Sequence, residues 1–183
     1  MKRKFAKLGF AVLTISVIAF SCSKDDNPAV NEEELITTLR LSLKESGSTT
    51  TTIFEFKDPD GEGGNPPTKF DPIVLSANKT YTCDVEVLNE SVSPAEDITD
   101  EILAEANDHQ FYFEPTGVNV NVTNLNNDAN GLPVGLSSSW TTGAVSSGTL
   151  KVTLKHKPGT KAAGDPTSKG ETDIEVVFPT SIQ

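Results

Sequence analysis

Leu39-Arg40-Leu41-Ser42-Leu43-Lys44 alternates apolar and polar residues with a period of two, which puts the three leucines on one face of a half-buried strand. Working outward from it, the same period returns at Thr52-Phe54-Phe56, at Tyr81-Cys83-Val85-Val87, at His109-Phe111-Phe113 and at Val118-Val120-Val122. Shorter apolar stretches at Ile73-Val74-Leu75, around Trp140 and in segments 149–156 and 173–178 add further strands. Gly- and Pro-dense segments separate them, above all Asp58 to Pro67, Asn126 to Gly131 and 157–169, and such composition forbids a helix or a central strand. One helix is predicted between Ser93 and Asn107. Ser93 caps it, Pro94 takes its first position and Glu96 completes a capping box, while Ala95, Ile98, Ile102 and Ala106 form a narrow apolar stripe. The pattern predicts a mainly β chain, a Greek-key or immunoglobulin-like β-sandwich of about eight strands with one short inserted helix. A small closed barrel is the alternative.

The N-terminal end has a different character. Lys2, Arg3, Lys4 and Lys7 precede an apolar run from Leu8 to Phe20 and then Ser21-Cys22, the layout of a secretory signal whose core is too short to stay in a bilayer as a permanent helix. Ala19-Phe20-Ser21 before Cys22 resembles the lipobox of bacterial lipoproteins, in which the cysteine sulfur takes a diacylglycerol and becomes the mature N-terminus. Ser23-Lys24-Asp25-Asp26 resembles the tag that sends lipoproteins of Bacteroidota to the outer leaflet of the outer membrane. The expected organisation is therefore a signal peptide over 1–21, an acylated cysteine and flexible tether over 22–33, and one domain over 34–183. Removing 1–21 takes away four cations and no anion, so the net charge falls from −11 to −15. A chain this acidic repels nucleic acid and favours cations. With Cys22 lipidated, only Cys83 keeps a free thiol, so no intramolecular disulfide is expected even in an oxidising compartment.

Candidate sites are few. His109 and His156, the two histidines, both continue apolar strand faces at a strand end, and Asp58 extends the face of Phe54 and Phe56 into an acidic loop. Convergence of those strand ends would gather His109, His156 and Asp58, with Asp60 or Glu62 nearby, into a nitrogen and oxygen set suited to zinc or iron. Asp58, Asp60 and Glu62 also have the alternate spacing of a calcium loop with Gly63 in sixth place, but position twelve is Lys69 and no helices flank it, which excludes an EF-hand. A simpler calcium-binding turn stays open, beside a plain acidic turn. Asn126, Asp128 and Asn130 before Gly131 repeat the pattern more weakly, as an Asx-rich turn would. No nucleophile elbow, triad or phosphate-cradling loop is visible, so an enzyme is not expected.

Four segments, Phe56 to Asn65, Leu88 to Thr99, His109 to Phe113 and Gly170 to Val176, together resemble a family of small flavobacterial lipoproteins often labelled "type 1 periplasmic binding fold superfamily protein". The resemblance implies an outer-membrane setting like that of lipoproteins that accompany TonB-dependent receptors. A two-lobed periplasmic receptor would need alternating strands and helices over about twice this length, which the single helix excludes. The expectation is a lipid-anchored, surface-exposed, non-enzymatic binding protein. Its partners would be the membrane, through the anchor, and a TonB-dependent receptor or other outer-membrane protein, in the service of nutrient or metal uptake. The alternative is direct capture of zinc, iron or calcium by the His and Asp cluster.

Overall fold

The computed structural model describes residues 35–61 and 63–183. The expected signal segment, Cys22 and the tether, as well as Glu62, lie outside the described residues. Eleven strands and one helix follow in order: β1 (Thr38–Glu45), β2 (Thr51–Lys57), β3 (Lys69–Phe70), β4 (Ile73–Leu75), β5 (Thr80–Asn89), β6 (Glu96–Asp97), α1 (Ile98–Ala104), β7 (His109–Thr116), β8 (Val120–Thr123), β9 (Ser137–Thr142), β10 (Ser146–His156) and β11 (Glu171–Ile182). They make two sheets. One runs β3-β2-β1-β5-β9-β8 with β6 paired to β5, the other β4-β11-β10-β7.

The opening stretch, Leu39 to Lys44, lies in the middle of the first sheet. β1 lies between β2 and β5, with Leu41 opposite both Phe54 and Val85 and Leu43 opposite Thr52 and Cys83. Because side chains alternate across a strand, Leu41, Leu43, Phe54, Cys83 and Val85 turn inward and are buried, while Arg40 reaches Glu86 and Glu90 on the outer face. In the second sheet, Phe111 faces Leu154 and Phe113 faces Val152, and Val152 faces Val176 across β10. A single hydrophobic cluster unites both inner faces. Phe113 of one sheet meets Trp140 of the other edge-on at 5.8 Å, and Phe70 meets Phe178 at 5.6 Å. This is a β-sandwich. Trp140, Phe111, Leu39, Leu41 and Leu154 are fully enclosed, each contributing about 1.5–3 kcal/mol of transfer free energy.

The helix is a correction. It spans seven residues, not fifteen, and Asp97 caps it by accepting from the Thr99 N–H at 3.0 Å. Ser93-Pro94 is a cis peptide, and Glu96–Asp97 instead forms β6 against Asn89 and Leu88. Two-residue strands such as β3 and β6 carry no period of two to read. Ile98 and Ile102 still face the core, as their spacing demands.

Candidate metal centre

β7 opens on His109 and β10 closes on His156, and the antiparallel register sets them directly opposite one another. The alternation that sends Phe111 and Leu154 into the core sends both imidazoles inward too, at one end of the sheet. Their rings stack with centroids 4.5 Å apart and planes 5° from parallel. His109 is buried and His156 half-buried.

α1 ends at Glu105, whose N–H donates to the Glu101 carbonyl. The Glu105 carbonyl in turn accepts from the Asp108 N–H at 2.9 Å and from His109 Nδ1 at 3.2 Å. A carbonyl can only accept, so Nδ1 carries the hydrogen and the neutral ring leaves Nε2 bare. Burial is the largest influence on His109 and lowers its pKa below the ordinary imidazole value; the Glu105 carbonyl opposes that shift and His156 adds to it. A neutral ring is the form that a metal requires. The Glu105 carboxylate and one nitrogen from each histidine lie within 4.8 Å of one another, the one such group of three among the described residues.

A further carboxylate stands beside His109, on β11. Asp173 Oδ2 stands 3.9 Å from His109 Nε2, both side chains nearly enclosed. Leu154 pairs with Ile174 but Lys155 pairs with Thr172, so Asp173 is the extra residue of a bulge. A bulge re-aims a side chain that strict alternation would send to the opposite face. The surroundings hold the cluster firmly. Lys157 N–H donates to the Asp108 carbonyl at 2.6 Å and Gly159 N–H to Asp108 Oδ1 at 2.9 Å. Gly170, at φ +84°, lets β11 pass so close that a Cβ there would stand 2.4 Å from the His156 carbonyl oxygen.

Lys161 straps the long 157–170 loop to the segment that follows α1. Its Nζ donates to the Ala106 carbonyl at 2.7 Å and to Asp128 Oδ2 at 2.9 Å, with the two charged side chains 2% and 0% exposed. Asp128 Oδ1 accepts from the Asn130 and Leu132 N–H groups. The carboxylate of the Asn126–Gly131 turn is thus consumed by an Asx turn and an ion pair.

Of the expected ligands, His109 and His156 come together; Asp58 and Asp60 do not join them, and Glu62 lies outside the described residues. Asp58 and Asp60 belong to the turn after β2, in the opposite sheet. Glu105 was hidden among the solvated acids of the helix. Its i,i+4 spacing to His109 is the signal that could have found it. Asp173 gave no signal, because a bulge cannot be read from alternation. Cys83 is a free, buried thiol whose pKa burial pushes up, so it packs as a small hydrophobe.

The two histidines and the exposed Glu105 carboxylate offer two nitrogens and one oxygen at one end of the sandwich, a mixed set that suits zinc or ferrous iron. Each ring must present its lone pair in its own plane, so parallel stacking has to relax before both bind one ion. Half-buried His156 has the room to turn; His109 is fixed by its Nδ1 bond. Two open surface depressions, of about 590 Å³ beside β8 and about 370 Å³ beside Asn124 and Ser137 to Ser139, share no residue with this cluster. Comparison with protein families, curated proteins and solved structures finds no match to this chain.

Proposed function

We propose that this chain is a non-enzymatic binding lipoprotein, anchored in the outer membrane through an acylated Cys22 and exposed at the cell surface, whose sandwich takes up a divalent transition metal. Zinc or ferrous iron is held by Glu105, His109 and His156, with Asp173 beside them, and is passed toward uptake by a TonB-dependent receptor. The observation that carries the metal is the meeting of three donor side chains from α1, β7 and β10 within 4.8 Å. The acidic first turn of α1, with Asp100 and Glu101, and the net charge of −15 left after loss of residues 1–21 raise the local concentration of cations. Anchoring rests on the Ser21-Cys22 motif: diacylglycerol and an added acyl chain contribute about 0.8 kcal/mol per buried methylene.

The test uses full-length protein purified from membranes in detergent. One equivalent of zinc is expected by calorimetry after chelation, and His109→Ala with His156→Ala should abolish it. Mass spectrometry of the N-terminal peptide should find Cys22 acylated. Zinc binding undiminished in the double variant refutes the metal assignment, and an unmodified Met1 terminus refutes the anchor.

A further inference from the structure

The turn that the histidines leave aside has a property of its own. Asp58 closes the inward face of β2 and is 8% exposed, yet its Oδ1 has no hydrogen-bond partner. Burying a charged oxygen without a partner is costly. Its carboxylate also lies against that of Asp60: burial first, and then Asp60 as a neighbour, raise the Asp58 pKa, while Asp60 is held low chiefly by Asn65. Asp60 Oδ2 accepts from both the main-chain N–H and the side-chain amide of Asn65, at 2.9 and 2.7 Å. Gly64 packs so closely that a Cβ there would stand 2.4 Å from the same oxygen. The chain is wrapped around one carboxylate, and the neighbouring carboxylate is buried with an open oxygen.

We propose that Asp58 and Asp60 form a calcium site, separate from the histidine cluster. The donors are hard oxygens with no nitrogen or sulfur among them, which favours calcium or magnesium over zinc. Calcium is preferred of the two, because it accepts irregular geometry and takes its remaining ligands from turn carbonyls and water, whereas magnesium demands a near-ideal octahedron. Two carboxylates place the affinity in the extracellular class, a Kd of about 10⁻⁴ to 10⁻³ M. Main-chain contacts tie the turn to the domain: Asp58 N–H donates to the Thr37 carbonyl at 2.8 Å and Gly61 N–H to the Asp58 carbonyl at 3.3 Å. Calcium would therefore stabilise the whole sandwich and not the loop alone.

Thermal melting of the full-length chain in detergent, after chelation, supplies the test. Ten millimolar calcium is expected to raise Tm by about 3–11 °C, the increment growing with the logarithm of calcium concentration, and magnesium by much less. Asp58→Asn should melt above the wild type without calcium, since a neutral amide replaces the orphaned carboxylate, and should lose the calcium increment. Asp60→Asn should lose the increment as well. The His109→Ala, His156→Ala protein should keep it, which separates this site from the transition-metal cluster. A wild type indifferent to calcium overturns the proposal and leaves a carboxyl pair sharing a proton; an undiminished increment in Asp58→Asn overturns it equally.

Discussion

Asp128→Ala is expected to be among the most damaging single changes outside the core. It removes one member of an ion pair whose side chains are 0% and 2% exposed, and it strips the acceptor from the Asn130 and Leu132 N–H groups. Breaking a buried pair from one side costs about 3–5 kcal/mol, because the surviving charge is left without its counterion. Lys161 retains the Ala106 carbonyl, which argues for the lower end, and the two freed N–H groups add about 1 kcal/mol between them. A loss of about 4 kcal/mol corresponds to a fall in Tm of about 8–16 °C for a chain of this size. Urea and thermal denaturation measure it directly. The double variant Asp128→Ala, Lys161→Met removes the stranded ammonium too and should recover most of the loss. Lys161→Met alone releases the Ala106 carbonyl, one residue from Glu105, and should weaken zinc binding about tenfold, as loss of an outer-shell support does. A single variant that costs less than about 1 kcal/mol, or a double variant that costs the sum of the two singles, would refute this account of the strap.

Two further outcomes concern charge. Glu90 accepts from Lys57 and Thr38 and pairs with Arg40, and the Lys57 hydrogen bond, above all, holds its pKa below the usual carboxylate range against the opposing effect of burial. The unfolded chain therefore binds this proton more readily, so the contribution is complete above about pH 4.3 and is lost as pH falls through the lower native value; Glu90→Gln should flatten the acid limb of the Tm profile, and an unchanged limb would contradict the assignment. Replacing both histidines by leucine should leave the metal-free protein as stable as the wild type or more so while abolishing zinc binding, and a large loss of Tm in chelator would show the pair to be a structural fixture instead.

The large strands were legible because one face of each is buried and the other wet. Leu39, Leu41 and Leu43 announce their face as plainly as Tyr81, Cys83 and Val85, and these runs make the centre of the first sheet. Both histidines were legible for the same reason, since each continues such a face. Pairing was not legible. That His109 meets His156 follows from the β7–β10 register, and register is set by long-range packing and turn geometry. The helix start was misread because Ser93-Pro94-Ala95-Glu96 has the local chemistry of a cap, while Glu96 and Asp97 gain more by pairing with β5. Asp173 depends on a one-residue irregularity between two strands, and local composition does not encode such a bulge.

The end of the sandwich where β7 and β10 meet breaks the rule that the rest of the molecule obeys. Elsewhere the core cluster is almost wholly aliphatic and aromatic, with Cys83 packing as a small hydrophobe; here the inward positions hold two imidazoles with a carboxylate turned in by a bulge. A second leucine pair would fill the same space without desolvating any polar atom. The His109 Nδ1 bond to the Glu105 carbonyl gives one ring nitrogen a structural partner, while the core cluster closes around Phe111 and Leu154 just inside it. The stitching of Asp108 to Lys157 and Gly159, the Lys161 strap and the close pass of Gly170 all converge on this end, so the chain spends its loop contacts on holding costly polar groups in place. A sequence that departs from local consistency at one place while supporting that place from three directions has the signature of a binding site. The acidic turn after β2 departs in the other manner, with an oxygen-only pair and a buried carboxylate oxygen that lacks a hydrogen-bond partner. The two departures sort by donor chemistry, nitrogen with oxygen in one sheet and oxygen alone in the other, and under the two proposals above this division would keep a softer and a harder cation from competing for the same ligands.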